Sequence, residues 1–128
     1  MKIEEQIKFW VDSAKHDMTV AEHLFEKGDY SWCLFVGHLV LEKMLKAIYI
    51  RDSQRIPPRI HDLVRLAEST KLILDKEQKE FLFEVNTFNI EARYPDEKSK
   101  FYELCTNEFT TENFTKVKDM YQWLKSQI

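Results

Sequence analysis

From Tyr30 to Arg51 the chain is apolar on nearly every side of a helix. Trp32, Cys33, Leu34, Phe35, Val36, Leu39, Val40, Leu41, Met44, Leu45, Ala47 and Ile48 leave no broad polar face. A helix at the surface of a globular protein carries one apolar stripe, so a segment apolar all round has to lie at the centre of the fold or be covered by a second subunit. What surrounds it is also helical by pattern. Glycine occurs at only 2 of 128 positions, against a usual share of about 7%, which argues against a turn-rich β fold and against a glycine-rich phosphate loop. A chain of this length fits one domain, residues 1–128, that can bury a core without covalent staples.

Before the central segment, Ile3, Ile7, Val11, Ala14, Met18, Ala21 and Phe25 recur at steps of three and four, which predicts a long amphipathic helix running to Gly28. Residues 52–60 contain Pro57-Pro58, which no helix passes through, and His61-Asp62 opens a short helical turn bearing Leu63, Leu66 and Ala67. Asp75 and Gln78 have the spacing of a capping box. Phe81, Leu82, Val85, Phe88 and Ala92 then repeat at helical spacing and predict a helix ending near Arg93, before Pro95. Residues 96–109 are mixed in pattern and predict a loop with at most a turn of helix. Thr110 is placed to cap a last helix, with Phe109 and Phe114 as its hydrophobic staple and Val117, Tyr121, Leu124 and Ile128 facing inward. The expected fold is all-α: an antiparallel up-and-down bundle of four long helices plus one short helix.

The formal charge of −3 supplies no general attraction for nucleic acid or anionic lipid, so any such contact has to be local. Cys33 and Cys105 lie far apart without metal-ligand spacing, which suits a reducing compartment and suggests neither a zinc site nor a disulfide framework. Neither a signal peptide nor an apolar stretch of membrane-spanning length is visible, and a cytoplasmic location without membrane contact is expected.

Two groups of residues carry possible chemistry. On the apolar central helix, His38, Glu42 and Lys46 form a polar stripe at four-residue steps, with Lys43 beside it. One reading is a solvent face on which the Glu42–Lys46 pair adds about 0.3–0.5 kcal/mol. The other is the polar wall of a groove, where His38 exchanges protons and the lysines meet phosphate. One histidine and one carboxylate fall short of a metal-ligand set, and no cofactor is expected. The second group is the arginines. Four of the five, Arg51, Arg55, Arg59 and Arg65, surround the Pro-Pro loop next to His61. They fit either a phosphate contact, because guanidinium binds phosphate bidentately, or a solvated loop paired with Asp52 and Asp62. The fifth, Arg93, lies where a helix ends, either satisfying its last carbonyls or presenting a fixed cation to a groove.

Several of these residues fall into an ordered set: Trp10 and Asp17, then Gly28-Asp29-Tyr30, then His38-Leu39-Val40-Leu41-Glu42-Lys43-Met44-Leu45-Lys46-Ala47, then His61-Asp62-Leu63, then Ala92-Arg93-Tyr94-Pro95-Asp96. Together they resemble the HEPN domain family (higher eukaryotes and prokaryotes nucleotide-binding domain) over nearly the whole chain. The resemblance implies a helical bundle that commonly dimerises, with a cleft near the dimer interface. It also implies a kinship with prokaryotic toxins encoded beside a nucleotidyltransferase antitoxin, and with metal-independent RNases. In those RNases an arginine followed after four to six residues by a histidine carries the reaction: the arginine stabilises phosphorane charge and the histidine positions or deprotonates the ribose 2′-hydroxyl. Arg93 corresponds by position, but the residues at that spacing are Lys98, Ser99 and Lys100.

The expectation is therefore a homodimeric HEPN protein, acting with a nucleotidyltransferase-type partner in a toxin–antitoxin or defence module. RNA or nucleotide would be bound through Arg93, Tyr94, Asp96, Lys43, Lys46 and Arg59. Two alternatives stand beside it. One is a metal-independent RNase in which His61 or His38 replaces the missing histidine, making Arg93, His61 and His38 the catalytic candidates. The other is a non-catalytic interaction module, suggested by aromatics such as Trp10, Tyr102 and Trp123.

Overall fold

The computed structural model describes residues 2–128, and the side chains of all of these except residues 90–93 and 95–98. Six helices follow in order: α1 (Ile3–Glu26), α2 (Tyr30–Ser53), α3 (Leu63–Glu68), α4 (Lys76–Arg93), α5 (Pro95–Leu104) and α6 (Asn107–Ser126). The apolar segment is α2, and it is central. It packs along α1 and also contacts α3, α4, α5 and α6. The chain itself buries Cys33, Leu34, Val40, Leu41, Met44, Leu45, Ala47, Ile48 and Ile50, so a second subunit is not needed to cover them. Where α6 crosses α2, Gly37 lets the helices close up: a Cβ there would lie 3.3 Å from Val117 Cγ1.

Local chemistry sets the boundaries. Gly28 has φ of +80°, and its N–H and that of Asp29 donate to the carbonyls of Phe25 and Leu24 at 3.1 and 2.8 Å. That is a Schellman closure, and glycine adopts the left-handed conformation it needs without strain. α2 ends instead on Gln54 in the left-handed region, two residues before Ile56 and Pro57-Pro58. Asp62 Oδ1 caps α3 by accepting from the backbone N–H of Val64 and Arg65 at 3.0 and 3.2 Å. The capping box of α4 is present, with Gln78 N–H donating to Asp75 Oδ1 at 2.7 Å and Asp75 N–H to Gln78 Oε1 at 3.0 Å.

Two boundary expectations are corrected. Residues 95–104 form a further helix, α5, rather than a loop. Pro95 both closes α4 and occupies the first turn of α5, where its fixed φ favours the helix and its missing N–H costs nothing. The apolar pattern is thin there: among its described side chains α5 buries only Phe101, which stacks on Phe88 at 5.6 Å. The last helix starts earlier than expected. Thr106, not Thr110, is its cap, accepting from Phe109 N–H at 3.2 Å. Thr110 is buried within α6, and the expected staple does not form: Phe109 lies against Phe88 at 6.4 Å and Phe114 against Phe25 at 5.6 Å.

The end of α2 is tied to the segment after α3 by Asp52. Its carboxylate accepts from Arg51 Nε at 2.9 Å and from the backbone N–H of Lys71 at 2.8 Å. Burial alone would raise this carboxyl; the hydrogen bonds from Arg51 and Lys71 and the charges of both cations outweigh it and hold the group below the usual carboxylate range. A depressed folded-state value contributes stability above the unfolded value and loses it as pH falls through the folded one. Asp52→Asn should therefore lower the melting temperature at neutral pH, and the deficit should shrink once pH drops below about 4. Melting curves followed by circular dichroism across pH 2–7 check this, and a deficit constant with pH would contradict it.

Candidate functional site

The polar stripe of α2 is not a solvent face. His38, Glu42 and Lys46 are 0%, 5% and 6% exposed, and burying such groups requires partners for each. Glu42 supplies them. Its Oε2 accepts from Lys46 Nζ at 3.0 Å, and its Oε1 lies 2.9 Å from Nδ1 of His61, 19 residues later in the chain. A carboxylate oxygen accepts, so His61 donates through Nδ1–H, and Nε2 is the ring nitrogen left facing away from Glu42. The His61 side chain is 56% exposed, and among the described residues nothing bonds to its Nε2.

His38 has a different role. Its Nε2 stands 3.0 Å from the backbone carbonyl of His61 and must carry the proton, since a carbonyl only accepts. Its Nδ1 is 3.9 Å from Glu42 Oε1. Fully buried and directed at the main chain, His38 holds the backbone at His61. The structure thus separates the two histidines that the sequence left equivalent.

Trp10 of α1 completes the Lys46 side, with Lys46 Nζ 5.4 Å from the centroid of its ring, a cation–π contact that partly replaces lost hydration. Around it Gln6, Trp10, Lys46, Ile56, Pro57, Pro58 and Arg59 line a cleft of about 360 Å³. On the other side of Glu42, His61, Asp62, Phe83, Asn86, Thr87 and Asn89 line a second cleft of about 330 Å³. One carboxylate thereby supports both clefts, through Lys46 in one and His61 in the other.

The remaining candidates separate. Lys43 turns to α1, where its Nζ meets Asp17 Oδ2 at 2.6 Å and Ser13 Oγ at 2.8 Å. It clamps α1 to α2 and does not join the Lys46 cleft. Of the loop arginines, Arg51 is paired with Asp52 and donates to the Gln127 carbonyl, while Arg59 lines the cleft. Tyr94 is exposed. Arg93 ends α4, four residues after Asn89; its side chain and that of Asp96 lie outside the described residues. Asn86 was not legible as a site residue. Its Oδ1 accepts from Leu63 N–H at 2.8 Å and its Nδ2 donates to Asp62 Oδ1 at 3.0 Å, fastening α3 to α4. The available signal was a polar residue beside Val85 on the inward row of α4.

Cys33 and Cys105 both lie in the interior. Both are buried free thiols, and burial pushes Cys33 up to about 12, with Cys105 adding to the rise and Lys118 opposing it. Among the described residues no three His, Cys, Asp or Glu side chains are grouped to hold a metal ion, and no described helix is long and apolar enough to cross a membrane.

A helical bundle with a central apolar helix and a buried carboxylate–histidine–lysine cluster is the class of protein these features define. The model of the HEPN domain matches residues 7–127, and the chain belongs to that family. Its fold is similar to that of TT1696 from Thermus thermophilus, with a TM-score of 0.83 and 17% identity over 96% of this chain and 98% of the other. Curated proteins offer no match to the sequence.

The cluster generates a stability prediction. Glu42→Gln leaves the buried Lys46 ammonium without its counter-charge and should cost about 3 kcal/mol in urea denaturation. Adding Lys46→Met to Glu42→Gln should recover most of that loss. A cost below about 1 kcal/mol for the single change would mean that the pair behaves as an exposed one.

Proposed function

We propose that this HEPN domain binds RNA or nucleotide phosphate in the paired clefts on either side of Glu42. On this reading it works in the cytoplasm as a homodimer, with a nucleotidyltransferase-type partner, in a toxin–antitoxin or related defence module. The observation that carries the binding reading is the Glu42 cluster. It sets an oriented imidazole in one cleft and two cations with an indole, Lys46, Arg59 and Trp10, in the other. Guanidinium and ammonium groups meet phosphate, and an aromatic ring offers a face to a base. With a net charge of −3, affinity has to come from this local patch. Arg93 stands one helical turn beyond Asn89 at the end of α4 and extends the same proposal toward the His61 cleft. The family membership supports the dimer and partner portions of the reading.

Binding of ATP and of short single-stranded RNA to the wild type and to Arg59→Ala and Arg93→Ala tests it. Each substitution should weaken RNA binding about tenfold and make the salt dependence shallower. Equal binding by all three proteins, or none by any, would remove the site.

The Glu42–His61 pair favours a second reading, metal-independent RNA cleavage. A histidine whose Nδ1–H is held by a carboxylate presents Nε2 as a base, the arrangement that general-base attack by a 2′-hydroxyl requires. Cleavage in the presence of EDTA should then yield a 2′,3′-cyclic phosphate and fall at least about 100-fold in His61→Ala. A flat time course with diverse RNAs would sink this reading and leave the binding proposal standing.

A further inference from the structure

α4 and α6 both pack on α2 and meet each other at Phe88 and Phe109, and nearer the start of α4 a groove of about 520 Å³ runs between them. It lies on a different face of α4 from the His61 cleft. Its α4 wall is the row Glu77, Glu80, Phe81 and Glu84; its α6 wall is the row Lys116, Asp119, Met120 and Trp123, and Asp75 and Gln78 close one end. Both walls repeat at i, i+3, i+4 and i+7, so the groove is two helical turns long on each side, about 10 Å. The floor is apolar, made by Phe81, Met120 and the half-buried Trp123. The rim carries five carboxylates, Asp75, Glu77, Glu80, Glu84 and Asp119, against the single ammonium of Lys116. The cations beside it do not neutralise it: Lys76 stands 3.8 Å from Glu80 and Lys116 3.5 Å from Glu112, both as exposed pairs of the kind that contributes little.

We infer that this groove is a docking surface for a short, basic amphipathic helix of a partner protein. The floor selects an apolar stripe of helical period, the helical spacing of both walls matches a helix laid along them, and the acidic rim selects lysine and arginine at its flanks. A nucleic acid is repelled by the same rim. The surface does not depend on the His61 and Lys46 clefts, so it stands or falls separately from the RNA-binding proposal.

The probe is a synthetic amphipathic peptide of about 15 residues, with leucine at i, i+3, i+4 and i+7 and lysine elsewhere. Titrated into the isotope-labelled full chain, it should give saturable amide shifts concentrated in residues 77–84 and 116–123. Glu84→Lys, at an exposed position where circular dichroism should report an unchanged fold, should weaken binding about tenfold. Glu4→Lys on α1 should not, and the peptide with glutamate in place of lysine should not bind. Trp123→Ala should weaken it independently of charge. Shifts spread over the surface, or equal affinity in Glu84→Lys and Glu4→Lys, would overturn the inference by reducing the effect to general charge attraction. So would peptide-independent shifts of the groove residues on dilution, which would show a second copy of the chain already seated there.

Discussion

The interaction on which the rest of the molecule depends is a carboxylate held inside its most apolar helix. Glu42 sits on α2, which every other helix contacts. An ionised carboxylate cannot remain in such a place alone, because desolvation outweighs anything that packing returns. The chain answers by bringing Lys46 from the next turn and His61 from beyond the Pro-Pro loop. The loop therefore does not wander. Its path is dictated by the need to deliver an imidazole to Glu42 and a carbonyl to His38, and α3 begins where that delivery is complete.

This explains why a polar stripe survives on a helix otherwise built for burial. A hydrophobic residue at position 42 would pack at less electrostatic cost, but it would leave the start of α3 with one fewer fixed point and His61 with no orientation. The Asp17–Lys43–Ser13 clamp plays the complementary part on the α1 side. Together the two polar clusters set the rotation of α2 about its own axis, which apolar contacts around the whole circumference do not specify uniquely.

Much of the architecture was legible in the sequence because its signals are local. Gly28, the Pro57-Pro58 pair, Asp62 and the Asp75/Gln78 box each act within a few residues, and each lies where the structure places a boundary. α5 was missed because, of its described side chains, Phe101 alone is buried, which leaves too sparse an apolar pattern, and because one proline both ends α4 and begins α5. The start of α6 was misplaced because Thr106 and Thr110 are equally good caps by composition. Packing chose between them when it buried Thr110. At the site, the His38–Glu42–Lys46 spacing was visible, but whether that stripe met water or protein was not, since the deciding partner, His61, is distant in sequence. Asn86 was beyond reach for the same reason: its meaning lies in two atoms of the α3 start.

The triple use of Asp62 Oδ1, by Val64, Arg65 and Asn86, has a consequence for His61 just before it. With the following residue pinned to two helices and its own carbonyl held by His38, the backbone at His61 has already given up its conformational freedom during folding. A ligand arriving at the exposed imidazole thus meets a group that needs no ordering, and the entropy that a loop histidine would surrender on binding is not charged to the encounter. Rigidity gained for the sake of a helix start becomes readiness at the surface.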